Sequence, residues 1–221
     1  FAIILFHSTI LFVAAYLLVY LAGMFTASIS GLFFDYKSII YYNEVLWLVK
    51  TEQWFGDSVK TIYASAPILL GIISIFLTII YTYLRTEKGL IKLFLLWCIL
   101  HGFNYFFGSL LVGSIFGKGM GHAIMWSYTS DSEKVIYSIV AITALVLAGV
   151  FITRSFLLTA NSYYSKLEPG ESHRFIWAQV ILPFFIGNGI IALLMSPGLV
   201  IHDYTVASAL IISIIPIAIR Y

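Results

Sequence analysis

Five histidines and a few carboxamides are the groups in this chain with the most chemical scope. His101 and Asn104 stand three apart, which puts an imidazole and an amide on one face of a helix. Such a face can hold a metal, a quinone or a lipid headgroup. It can equally hydrogen-bond a neighbouring helix as polar glue, which is the commoner use. His7 lies far upstream and could meet His101 across a bundle, and two facing imidazoles would ligate a haem or a divalent metal. Nothing in the spacing fixes the two at one depth. No cofactor is therefore expected, with haem or metal at His7 and His101 as the alternative. No histidine is followed by glutamate, so the His-Glu-x-x-His zinc motif is missing. No catalytic residue is assigned.

Three further places stand out. Gly108 and Gly113 follow the His101–Asn104 face as small residues suited to close helix packing. Gly117, Gly119 and Gly121 alternate just before His122; without a Gly-Lys-Ser/Thr sequence they read as a turn rather than a phosphate cradle. Gln179 and Asn188 flank Pro183, beside Gly187 and Gly189, which predicts a kinked helix. A broken helix can line a cavity, and the same features also let two helices pack closely.

The elements that carry these residues follow from composition. Of the 221 residues, 61% are apolar and 10% charged, against about 45–50% and about 25% in soluble domains. Mean hydropathy is +1.00. A net charge of +2 with no basic stripe excludes a nucleic-acid binder. The one cysteine, Cys98, can form neither an internal disulfide nor a thiolate cluster. Charge-free intervals of about the length that crosses hydrocarbon predict spans near 1–23, 61–84, 90–116, 135–157, 175–197 and 203–219. The fold class expected is an all-α polytopic transmembrane bundle of six spans, with five as the fallback count because Pro216 interrupts a short last segment. The first uncharged run is expected to bend through Ser28–Gly31. No soluble domain is expected, and the first run reads as a retained span rather than a signal peptide.

Arg85, Lys88, Lys92, Arg154, Lys166, Arg174 and Arg220 fall on one side of such a bundle. Lys37, Lys50, Lys60, Lys118 and Lys134 fall on the other, with most of the acidic residues, Asp203 among them. The bias predicts both termini in the cytoplasm of a bacterial inner membrane. The segment 35–60 reads as an external amphipathic helix in the headgroup layer, with Trp47 and Trp54 as interfacial anchors and Trp126 as another. The charge-free intervals contain no Asp or Glu, so a carboxylate proton relay is not expected inside the membrane.

Leu96-Trp97, His101-Gly102-Phe103-Asn104, Phe106-Phe107-Gly108, Gly113 and Gly119-Met120-Gly121 together resemble a group of uncharacterised polytopic inner-membrane proteins typical of Bacteroidota. That resemblance implies a multi-pass architecture and carries no activity. The layout of a first span, an external segment and Ala64-Ser65-Ala66-Pro67 opening the next is similar to site-2-type membrane metalloproteases. This chain departs from them at Tyr20-Leu21-Ala22-Gly23-Met24, where such an enzyme needs two histidines and a glutamate, so the likeness implies a non-catalytic relative.

The function expected from these features is a non-catalytic accessory, assembly or anchoring subunit of a larger membrane complex, with the bilayer and a membrane protein as partners. The alternatives are a small transporter or channel, with a path lined by His101, Asn104, Gln179 and Asn188, and a lipid- or cofactor-modifying enzyme using a histidine.

Overall fold

The computed structural model describes residues 1–164, 171–196 and 201–220. Lys166 and the expected end of the fifth span at 197 lie outside them. Among the described residues, six helices are long and apolar enough to cross a membrane: α1 (Ala2–Leu32), α2 (Gly56–Leu84), α3 (Ile91–Phe116), α5 (Asp131–Ser162), α6 (Glu171–Leu194) and α7 (Ile201–Arg220). A short helix, α4 (Gly121–Trp126), joins α3 to α5. The chain is an all-α, multi-pass membrane bundle. In hydrocarbon every amide must find its partner within its own segment, which is why these apolar runs are helical, with a single turn residue, Leu210, interrupting α7.

The first run does not bend at Ser28–Gly31. It continues as one helix to Leu32, about 46 Å at 1.5 Å per residue, well beyond a hydrocarbon core of about 30 Å. Gly31 sits under the ring of Trp47, so the extra turns pack on protein. Residues 35–60 form no amphipathic helix either. Two short antiparallel strands, β1 (Ser38–Ile40) and β2 (Val45–Trp47), pair Ile39 with Leu46. β-branched and aromatic side chains around an Asn43-Glu44 turn favour the hairpin over a helix. Trp47 and Trp54 pack edge-on at 5.7 Å, and Trp54 meets Tyr36 at 5.1 Å. Both tryptophans thus brace the hairpin against α1 and α2, while Trp126 is the more exposed of the three.

Close helix contacts rest on small residues, as lipid supplies no hydrophobic drive for association. Gly149 of α5 lies against the Ser213 backbone of α7, and the Ser213 hydroxyl donates to the Leu145 carbonyl at 2.8 Å. Gly187 of α6 accepts the ring of Phe12. Where α3 turns into α4, Gly113 and Gly121 meet backbone to backbone. Gly117 adopts φ 63° to end α3, a conformation that suits glycine.

Two spans carry π-turns, at Asn104–Gly108 in α3 and Trp177–Ile181 in α6. The second lies immediately before Pro183, where the sequence predicts a kink. The hairpin, α4 and the start of α7 share one face of the bundle. The start of α1, the end of α7, the turn at 85–90 and residues 159–164 share the other. On that second face Lys92 is buried, and its ammonium donates to the Glu87 carbonyl at 2.6 Å, to the Leu158 carbonyl at 3.4 Å and to Asn161 Oδ1.

Candidate functional site

A cavity of about 320 Å³ lies between α1, α2, α3 and α7 and opens beside the hairpin. Each helix contributes polar groups for a local reason. Tyr16 and Tyr20 are four apart on α1, so both face the same way. His101 and Asn104 share a face of α3, as their spacing requires, and both border the cavity. Tyr105 follows them because the π-turn inserts an extra residue and rotates that phenol inward. Its hydroxyl lies over Gly23, where a Cβ would stand 2.7 Å away. His202 and Asp203 come from the first turn of α7. Glu44 of the hairpin turn and Lys118 stand at the mouth.

The floor is aromatic. The His101 ring meets Phe12 edge-on at 4.6 Å and Tyr16 at 5.6 Å. Phe12 in turn meets Trp97 at 4.9 Å and Phe184 at 6.3 Å. His101 lies about 15 Å along α3 from its first residue, so the cavity reaches the middle of the bilayer.

Hydrogen-bond accounting at the floor is incomplete in one direction. His101 Nε2 has no hydrogen-bond partner. Asn104 donates its amide to the Val206 carbonyl of α7 at 2.7 Å, and its Oδ1 has no partner. The Asn104 amide orientation follows from its bond to Val206. Both residues are almost fully buried, at 4% and 2% exposed. Gly108 makes the Asn104 pose available, since a Cβ there would stand 2.8 Å from Oδ1. Higher in the cavity the Tyr20 hydroxyl lies 2.5 Å from the Asn43 carbonyl and 3.4 Å from Asp203 Oδ2. One hydroxyl proton serves the nearer oxygen, so the carboxylate gains little from it. Asp203 Oδ1 lies 3.2 Å from His202 Nε2.

The other expected site residues lie elsewhere. Gln179 sits below the aromatic floor, in the second π-turn. Trp97 Nε1 donates to Ser8 at 3.0 Å, Ser8 donates to the Gln179 carbonyl at 2.5 Å, and the Gln179 amide donates to Thr159. That network ties four spans together. Asn188 donates to the Phe184 carbonyl of its own helix at 2.8 Å. Gly113 supports the α3–α4 turn. His7 is not brought to His101; it stacks on Tyr163 at 6.1 Å, with Nδ1 3.5 Å from the phenol. Burial pushes the Tyr163 hydroxyl up to about 12. His122 packs on Tyr63 at 4.8 Å outside the cavity. Burial, then the charges of Lys118 and His202, hold its imidazole below the usual histidine range.

Asp203 and the three tyrosines are the site residues that the sequence reading missed. Marking charges ends a span at Asp203 and places it outside, whereas α7 starts at Ile201 and carries it into the cavity wall. Tyrosine counts as apolar in a hydropathy scan, although the four-residue spacing of Tyr16 and Tyr20 was visible. No family model, curated protein or solved structure matches this chain.

Proposed function

We propose that this protein is a non-catalytic, multi-pass inner-membrane binding protein that holds a small polar molecule, or a lipid headgroup, in the cavity between α1, α2, α3 and α7. The observation that supports the reading is the convergence of polar side chains from separate elements on that cavity: Asp203 and His202 of α7, Tyr16 and Tyr20 of α1, Tyr63 of α2 and Tyr105 of α3 all line it. The cavity volume falls at the lower end of small-molecule sites, about 300–1,000 Å³. The lysine and arginine bias favours cytoplasmic termini, which opens the cavity on the opposite, external face. This reading keeps the non-catalytic character expected from the sequence and adds a binding cavity to an accessory role.

The test uses Ser109→Cys, a near-isosteric change at the cavity wall, beside the buried native Cys98. A small membrane-impermeant methanethiosulfonate labels position 109 in the folded, membrane-inserted protein from the external face. Ethanolamine, ethylene glycol and glycolate are then offered as protecting solutes. Labelling slowed by at least one of them supports the reading. No labelling from either face, or labelling that none of the three slows, overturns it.

A second reading, a small transporter, is favoured by the layering. The aromatic floor of Phe12, Trp97 and Phe184 separates the cavity from the Ser8–Gln179–Thr159 network beneath it, and both flanking helices contain π-turns. Solute flux in proteoliposomes tests that reading; binding without flux removes it.

A further inference from the structure

A second cavity, of about 520 Å³, lies between α2, α3 and α5, nearer the face that carries the turn at 85–90. It is a groove in the lipid-facing surface. Leu96 and Ile99 of α3 form a buried floor, and the rims are Ile75 and Ile79 of α2 with Leu147 and Phe151 of α5, all four exposed. α2 and α5 each pack on α3 but scarcely on each other. They are joined at the outer end of the groove, where the Tyr81 hydroxyl donates to the Ser155 carbonyl at 3.0 Å. From Ala144 to Ser155 the groove runs about 16 Å along α5, close to half of a hydrocarbon core of about 30 Å. That length suits one acyl chain in one leaflet, whereas a crossing helix needs a seam through both. Two arginines stand at the outer end. Arg85 follows Thr78 by seven residues and Tyr81 by four, so it continues the α2 wall. Arg154 follows Leu147 by seven and Phe151 by three, so it continues the α5 rim. Both are exposed, and among the described residues neither has an ion pair. Glu87 in the adjoining turn is offset by Lys88.

We infer that this groove is a binding site for one anionic phospholipid, with an acyl chain laid along α3 between α2 and α5 and the phosphate held by Arg85 and Arg154. The planar guanidinium donates to phosphate oxygens in pairs, and an arginine at the end of a span extends to the headgroup level. A zwitterionic lipid brings the same phosphate, but its own ammonium competes for it and cancels the net charge. An uncharged chain fills the groove and leaves both arginines without a counter-ion. An anionic phospholipid uses the groove and the arginines together. This site is separate from the cavity between α1, α2, α3 and α7 and does not depend on what that cavity holds.

Photocrosslinking in nanodiscs tests the assignment. The full chain is placed in phosphatidylcholine discs containing a trace of phosphatidylglycerol with a diazirine in its acyl chain, and in parallel discs where phosphatidylcholine carries the same chain. Marked peptides are mapped by mass spectrometry after irradiation. The phosphatidylglycerol probe is expected to mark the groove walls at least about fivefold more than the phosphatidylcholine probe, the factor expected of one arginine acting on one net negative charge. Exposed residues outside the groove, such as Phe6 and Ile10 of α1, should be marked equally by both. Arg85→Gln with Arg154→Gln should remove the preference while phosphatidylcholine marking stays as it was, with maleimide protection of Cys98 showing that the bundle is intact. If that variant is not intact, competition on the parent protein decides. Unlabelled phosphatidylglycerol should displace the probe from the groove at mole fractions at least about fivefold below those of added phosphatidic acid's zwitterionic counterpart, phosphatidylethanolamine. Equal marking of the groove by the two probes, a preference spread evenly over all lipid-facing surfaces, or no marking of the groove by either probe overturns the site. A preference that survives in the intact double variant overturns the role of the arginines.

Discussion

Gly149 and Gly189 are a matched pair for testing how the bundle is held together. A Cβ at Gly149 would run into the Ser213 carbonyl oxygen of α7, with the carbonyl carbon at 2.9 Å and Cα at 3.0 Å. Relaxed carbon contacts fall near 3.5–4.0 Å and carbon–oxygen contacts near about 3.3–3.6 Å, so α7 must move away by about 1 Å or more. That overpacking costs about 1–3 kcal/mol. It also stretches the 2.8 Å bond from Ser213 to Leu145, worth a further 0.5–1.5 kcal/mol or so. The better helix propensity of alanine offsets little, because separated helices in lipid remain helical. Gly149→Ala should therefore destabilise by about 2–4 kcal/mol. Gly189 has nothing within 4 Å of its ideal Cβ, and Gly189→Ala should change stability by less than about 0.5 kcal/mol. The buried Cys98 thiol reports both. In mild detergent, its reaction with a fluorogenic maleimide on heating marks the loss of packing. At about 2–4 °C per kcal/mol for a chain of this length, Gly149→Ala should fall by about 4–16 °C. A Gly149→Ala midpoint at or above wild type, or an equal fall for Gly189→Ala, would refute the contact assignment.

Two further outcomes follow from single side chains. Lys92→Met leaves the Glu87 and Leu158 carbonyls and Asn161 Oδ1 facing a methyl group, and should cost about 2–4 kcal/mol in the same thiol assay; a loss under about 0.5 kcal/mol would show that the buried ammonium contributes little. For His122, the lowered pKa means that the neutral ring persists at pH 6.5 and charges only as the pH falls further, so carbon-13 shifts of the ring should report a midpoint below the ordinary histidine value; a midpoint at or above 6.5 would contradict the packing of His122 among Tyr63, Lys118 and His202.

The spans were legible because charge is so costly in hydrocarbon that its absence marks them. The hairpin was not. Ile39, Ile40, Val45 and Trp47 suit a strand and an amphipathic helix alike, and pairing across Asn43-Glu44 is decided by contact with α1, which local pattern does not encode. The pairing of His101 with Asn104 could be read from their spacing. That the two face a cavity while Gln179 faces a helix junction could not, since both are amides and imidazoles on apolar helices. The α3 π-turn is equally silent in the sequence: Asn104-Tyr105-Phe106-Phe107-Gly108 carries no proline, and the one-residue offset shows only in the hydrogen bonds.

Unpartnered acceptors alone do not mark a site in this molecule. Among the described residues Ser114 Oγ, Gln179 Oε1 and Asn188 Oδ1 are unpaired as well. An amide that uses its hydrogens to bind a neighbouring helix routinely leaves its oxygen bare, and in lipid that is the ordinary by-product of polar packing. Gln179 and Asn188 fit that pattern: each donates to a backbone or side-chain oxygen and points its own oxygen into packed surroundings. His101 Nε2 and Asn104 Oδ1 are as enclosed as those atoms. Their residues nevertheless border one cavity of about 320 Å³, whose lining includes the carboxylates of Glu44 and Asp203 and the phenols of Tyr16, Tyr20, Tyr63 and Tyr105. Polar packing accounts for each group taken singly. It does not account for carboxylates and phenol rings from separate elements converging on one volume, where leaving that volume unfilled forfeits contacts on every wall.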